Sequence, residues 1–277
     1  MKLPRLIAVA HLLFCAAHAE TTPPLTPLNQ ALADRSVTTI TCALTQPPPF
    51  SSVPIFVSDA DAESSLGTYH YKLWLPGGYN ADPAKQWPCL FIMSSGGDAT
   101  MATMETWLKT NGFIVVMLVE ARNGSWGPII GNFLAAHDDV VKRVRVADGR
   151  KYATGVSGGA RAASIFVQIR PGFCGLILQA AGVMLDEQNN YLTAGLKQLP
   201  QLRIAMTVGT FDANMAEIAP MKSAFSTQQL AVFQFNGGHT WAPSATFRKA
   251  MAWLNGEGSG KPGASPGDSF DELFKKK

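Results

Sequence analysis

The stretch Tyr152-Ala153-Thr154-Gly155-Val156-Ser157-Gly158-Gly159-Ala160-Arg161 constrains the fold of this chain more than any other. Lys151–Val156 suits a strand buried on both faces, and Ala160–Ile169 suits a helix. Between them stands Gly-x-Ser-x-Gly, so the chain must turn from strand to helix within a residue or two of Ser157. Such a turn is tight and strained, and it lifts the serine hydroxyl above the sheet. Side chains at 155 and 159 would collide with the neighbouring strand and helix, which is the steric reason for glycine there. Gly158 leaves its backbone N–H facing any negative charge that develops beside the hydroxyl. The same letters can occur in a Gly-rich turn with an idle serine, so the flanking strand and helix carry the signal.

The remaining pattern repeats this alternation. Strands are expected at Tyr69–Leu75, Cys89–Met93, Ile114–Val119, Gly175–Ala180, Leu202–Val208 and Val232–Phe235. Helices are expected at Ala99–Asn111 (stopped by Gly112), Ile130–Ala147, and near Tyr191–Gln198, Asn214–Ser223 and Ala245–Leu254. Short apolar strands alternating with helices predict an α/β domain over residues 67–256, a mostly parallel central sheet with helices on both faces. The interval between Ala181 and Leu202 leaves no room for a large lid. Residues 20–66 read as a Pro/Thr-rich leader packed on the domain, with Val37–Ala43 strand-like, and 257–277 as a flexible Gly/Ser/Pro tail. There is no internal repeat.

At the N-terminus, Lys2 and Arg5 precede the apolar run Leu6–Ala17, and Ala17-His18-Ala19 offers small residues for cleavage before Glu20. Residues 1–19 are therefore read as a signal peptide and the protein as secreted or periplasmic, an uncleaved anchor being the alternative. The run is short for a spanning helix, and no later segment is long and apolar enough, so no stable membrane insertion of the mature chain is expected. The formal net charge is +3, and without Lys2 and Arg5 the chain is close to neutral. No basic stripe with interleaved aromatics appears, which argues against nucleic acid as a partner. Cys42, Cys89 and Cys174 remain after cleavage and allow at most one internal disulfide. No Cys/His spacing suggests a metal site, and no cofactor is called for.

A serine hydroxyl needs a base to take its proton, and the base needs an acid to hold its tautomer. Beyond the leader there are three histidines, His70, His137 and His239. His239 follows the last strand in Asn236-Gly237-Gly238-His239-Thr240-Trp241, where sheets of this kind carry reactive groups. His137 lies on the apolar stripe of a helix beside Asp138 and Asp139, and reads as a boundary histidine with two solvated acids. Between Ser157 and His239 the carboxylates are Asp186, Glu187, Asp212 and Glu217. Asp212 stands just past a strand end and ahead of a helix, within reach of the imidazole. Asp186, one strand earlier, is the runner-up. A helix cap is the other use for Asp212.

The order Ser157, Asp212, His239 resembles the α/β-hydrolase fold over roughly residues 67–256. Several phrases are similar to secreted esterases of the polyhydroxybutyrate depolymerase and feruloyl esterase group: Tyr71–Tyr79, Asp148–Tyr152, Pro171–Gly175 and Gly209-Thr210-Phe211-Asp212. The resemblance implies acyl transfer through an acyl-enzyme, on a small-molecule or polymeric ester. One departure stands out. That group ends the strand before the first helix in His-Gly, whereas this chain reads Met93-Ser94-Ser95-Gly96-Gly97-Asp98. The loop is expected to supply the second oxyanion N–H beside that of Gly158, from Gly97 or alternatively Gly96. Trp126 and Trp241 are expected either to wall the substrate site or to pack loops on the domain. Three readings follow: a serine esterase, a peptidase or amidase on the same groups, and a non-catalytic relative that binds a partner.

Overall fold

The structure is a computed structural model and describes residues 24–257. The signal-peptide reading of residues 1–19 and the tail beyond 257 lie outside the described residues. The chain runs β1 (Val37–Leu44), α1 (Asp59–Glu63), β2 (Gly67–Trp74), β3 (Trp87–Ser94), α2 (Glu105–Thr110), β4 (Ile114–Leu118), α3 (Trp126–Arg143), β5 (Val146–Val156), α4 (Gly158–Ile169), β6 (Phe173–Gln179), α5 (Ala194–Lys197), β7 (Arg203–Gly209), α6 (Ile218–Ala224), β8 (Leu230–Phe235) and α7 (Ser244–Leu254). The eight strands form one sheet in the order β1-β2-β4-β3-β5-β6-β7-β8. β1 and β2 are antiparallel to their neighbours, and the six strands from β4 to β8 run parallel.

Side chains alternate across a strand, so each parallel strand feeds two cores. Phe91 and Met93 of β3 join the core beneath α3 and α4, while Leu90 and Ile92 join the core beneath α2 and α7. Burial on both faces explains why these strands read as unbroken apolar runs. All parallel strands end on one edge of the sheet. The segments after β5, β7 and β8 therefore leave from the same side, and those segments carry Ser157, Asp212 and His239.

Several expected boundaries move. The long helix begins at Trp126, four residues earlier than the apolar stripe suggests, and ends at Arg143. Val144 turns extended at φ −131° and ψ 158°, and Val146 already belongs to β5. The expected Ala99–Asn111 helix is a 3-10 turn at Ala102–Met104 followed by the short α2. The helix near Tyr191–Gln198 shrinks to the single turn α5. Cys42, Cys89 and Cys174 are all free thiols, and burial pushes that of Cys42 up to about 12.

The His137 trio is also unlike its sequence reading. His137 is buried, 4% exposed, among the rings of Phe91, Phe133 and Phe173. Its Nε2 accepts from Lys151 Nζ at 2.9 Å, which leaves Nδ1 to donate to Asp138 Oδ1 at 2.9 Å. Asp138 is held on its other side by Arg170, and Asp139 by Arg143 and the Tyr71 hydroxyl, so neither acid is simply solvated. Burial is the largest cause that holds the His137 pKa below the ordinary imidazole value. A group whose folded pKa is depressed binds fewer protons folded than unfolded, so its contribution is intact above the unfolded value, about 6.5, and is lost as pH falls below it. Denaturant midpoints should therefore decline between pH 7 and pH 5, and His137→Gln should flatten that decline. An equal decline in the variant would place the acid sensitivity elsewhere.

Candidate active site

Ser157 caps α4 with φ 58° and ψ −122°, a conformation that costs a non-glycine residue about 1–3 kcal/mol. The surrounding backbone enforces it. A Cβ at Gly155 would run into the backbone of Gly159, and one at Gly159 would meet the Met93 carbonyl oxygen at 2.5 Å. The helix thus leaves the strand with its first turn pressed against β3 and β5. Gly158 is the first residue of α4, and the first N–H groups of a helix have no partner within it. The positive end of the helix dipole lies at the same point.

Asp212 follows β7 and caps the 3-10 turn Ala213–Glu217, accepting from the Asn214 N–H at 2.9 Å. The same oxygen, Oδ1, accepts from His239 Nδ1 at 3.0 Å. The aspartate side chain is completely buried, and its Oδ2 has no partner among the described residues. His239 is 46% exposed, so a buried carboxylate holds one edge of a ring whose other edge faces outward. Fixing the proton on Nδ1 leaves Nε2 as the free base. Asp186 does no comparable work. Its carboxylate accepts from Gln188 and Asn190 within its own turn, and those bonds lower its pKa.

β5 and β8 are three strands apart, a lateral gap of about 14 Å at the usual interstrand spacing. The His239 loop has to come back over the strand ends to approach Ser157. Gln179, fully buried at the end of β6, helps to bring it back. Its carbonyl accepts the Ser157 N–H at 2.9 Å, and its Oε1 accepts the Ala242 N–H at 3.0 Å. Arg161 and Glu217 tie the elbow helix to the acid loop by a 2.5 Å ion pair, with Glu217 also accepting from the Gly182 N–H. Nothing in the local sequence pattern marks Gln179, Arg161 or Glu217, because the partners of their side chains are 22 to 75 residues away. Among the described residues the Ser157 hydroxyl makes no hydrogen bond to the His239 ring.

In the loop after β3 the N–H groups of both candidate donors meet Ser94. The Gly97 N–H donates to the Ser94 carbonyl at 3.1 Å, which closes a turn and removes it as a ready second oxyanion donor. The Gly96 N–H makes a longer bond, 3.3 Å, to the Ser94 hydroxyl. Trp126 is not a loop residue but the first residue of α3; it packs half-buried on the core under α3 and α4. Trp241 packs half-buried on the opposite core. Both therefore spend much of their surface on the domain. A cleft of about 830 Å³ lies against Gly96, Gly97, Arg122 and Asn123, with Leu66, Ile129 and Val119 in its wall. Phe211, next to Asp212, is 79% exposed on the same edge of the sheet.

No protein-family model and no curated protein matches the chain. Among solved structures it is similar to a ferulic acid esterase, with TM-score 0.53, 14% identity, and coverage of 79% of this chain and 97% of that one. It is also similar to S-formylglutathione hydrolase (FrmB) from Staphylococcus aureus, with TM-score 0.56, 13% identity, and coverage of 79% and 99%. A third is FphF, a fluorophosphonate-binding serine hydrolase of Staphylococcus aureus, with TM-score 0.53, 11% identity, and coverage of 79% and 98%. These likenesses, together with a sheet of six parallel strands covered by helices on both faces, identify this chain as having the α/β-hydrolase fold.

Proposed function

We propose that this chain is a serine hydrolase that cleaves carboxylic esters through an acyl-enzyme, and that it is exported. The observation that carries the reading is the buried Asp212 carboxylate bonded to His239, on the same sheet edge as a serine held at φ 58°. In this mechanism Ser157 Oγ attacks the ester carbonyl while His239 Nε2 takes its proton. The half-exposed ring closes on Ser157 as substrate arrives, since proton transfer needs a separation of about 2.6–3.2 Å. The imidazolium then protonates the departing alcohol, Asp212 stabilises its charge, and water repeats the cycle on the acyl-enzyme. Gly158 N–H receives the oxyanion. The exposed Phe211 and the absence of a large lid among the described residues favour apolar acyl groups met at an open rim, including esters on polymers. Export rests on the charge and apolar pattern of residues 1–19.

The test is a fluorophosphonate probe followed by a substrate panel. Labelling should map to Ser157, and phenyl esters should be cleaved faster than the matching anilides, with short acyl, feruloyl and polymeric esters ranking the acyl preference. A chain that takes no label and turns over no ester is a binding protein on a hydrolase fold.

A further inference from the structure

The preferred second oxyanion donor, the Gly97 N–H, is tied to the Ser94 carbonyl, and one side chain, that of Asn123, lies beside the other donor residue, Gly158. Asn123 belongs to the loop after β4, and its own N–H is tied to the Ser95 carbonyl at 2.8 Å, so it is fastened to the loop that carries Gly96 and Gly97. Its side-chain amide lies over Gly158. A Cβ built at Gly158 would overlap Asn123 Oδ1, with Cγ at 2.8 Å and Nδ2 at 3.1 Å. The amide thus fills the space that a side chain at 158 would take. Asn123 is exposed, and among the described residues its side chain makes no hydrogen bond. A half-turn about Cβ–Cγ exchanges the two ends of the amide, and either end is sterically acceptable.

We propose that Asn123 is a catalytic residue whose Nδ2–H donates to the oxyanion, in the role that Gly97 does not fill. The proposal rests on the serine-hydrolase reading given above. When the Ser157 Oγ pair enters the carbonyl carbon, the carbonyl π pair moves onto oxygen, and that oxygen is held between the Gly158 N–H and Asn123 Nδ2–H. When the pair returns, the alkoxide leaves with the proton carried by His239. No bond is made or broken at Asn123, and its part is electrostatic. Glycine at 158 then has a second purpose beyond the elbow: it leaves room for the amide.

The experiment measures phenyl acetate hydrolysis and the rate of fluorophosphonate labelling for wild type, Asn123→Ala, Asn123→Asp, Gly158→Ala and the Asn123→Ala/Gly158→Ala double variant. Asn123→Ala should lower kcat about 10²–10³-fold, the usual loss for one oxyanion donor, with KM and melting temperature unchanged. Asn123→Asp keeps the shape and opposes the developing charge, so it should lose at least as much. Gly158→Ala displaces the amide and should fall by a similar factor, and the double variant should be no worse than the poorer single one. Wild-type kcat in Asn123→Ala, or losses that multiply in the double variant, would overturn the proposal. A wild-type protein unlabelled at Ser157 would remove the hydrolase reading itself, and this one with it. Labelling that depends on Ser157 and ignores Asn123 removes only this one.

Discussion

Ser157→Ala should abolish ester hydrolysis, lowering kcat by about 10⁶-fold, because removing a nucleophile costs roughly as much as removing the whole catalytic set. Fluorophosphonate labelling should vanish with it. Ser157→Gly should be equally inactive but more stable, and the comparison separates chemistry from strain. At φ 58° and ψ −122° a Cβ is strained by about 1–3 kcal/mol, and glycine relieves that strain. The larger unfolded-state entropy of glycine takes back about 0.4–1 kcal/mol. For a domain of this size each kcal/mol moves the melting temperature by about 2–4 °C, so the glycine variant should melt a few degrees above the alanine variant. Equal melting temperatures would mean that the strain at the elbow is no larger than this entropic offset of about 0.4–1 kcal/mol. Measurable turnover in Ser157→Ala would move the nucleophile elsewhere.

The elbow was legible in the sequence because its grammar is local. Gly155 and Gly159 are dictated by backbone atoms within four residues or on the adjacent strand, so the spacing alone exposes them. The His239–Asp212 pair was legible for a related reason: both residues follow strands that read as apolar runs, and parallel strands deliver their C-terminal ends to one edge. What depends on distant partners was not legible. Asp138 and Asp139 look like a solvated helix face until Arg170 and Tyr71, 32 and 68 residues away, close on them. The apolar stripe starts the expected helix only at Ile130, yet Trp126-Gly127-Pro128 is the first turn of α3. A proline there sacrifices no hydrogen bond, because the first N–H groups of a helix are unpaired within it. Val144 continues the apolar stripe past the helix end since it is buried by the same core, now at the approach to a strand. Position alone singles out Gly97, but no sequence pattern announces that the Ser94 carbonyl takes its N–H.

Asp212→Ala should reduce kcat/KM for phenyl esters by about 10⁴-fold, the loss seen when the acid of such a set is removed, while Asp186→Ala should stay near wild type. The structure adds a finer expectation for Asp212→Asn. One oxygen, Oδ1, serves both His239 Nδ1 and the Asn214 N–H, and Oδ2 has no partner among the described residues. An asparagine can keep its carbonyl oxygen on both donors and place its nitrogen at the Oδ2 position. The imidazole then keeps its proton on Nδ1 and its orientation, and loses only the negative charge that stabilises the imidazolium. Asp212→Asn should therefore retain more activity than Asp212→Ala, in contrast to sites where the amide nitrogen is forced toward the ring and reverses its tautomer. Rates measured across pH 5 to 9 for the two variants decide the point. If Asp212→Asn is as inactive as Asp212→Ala, the charge and not the tautomer is what Asp212 supplies. If instead Asp186→Ala carries the loss, the acid comes from the strand before, and the His239–Asp212 bond serves only to hold the loop.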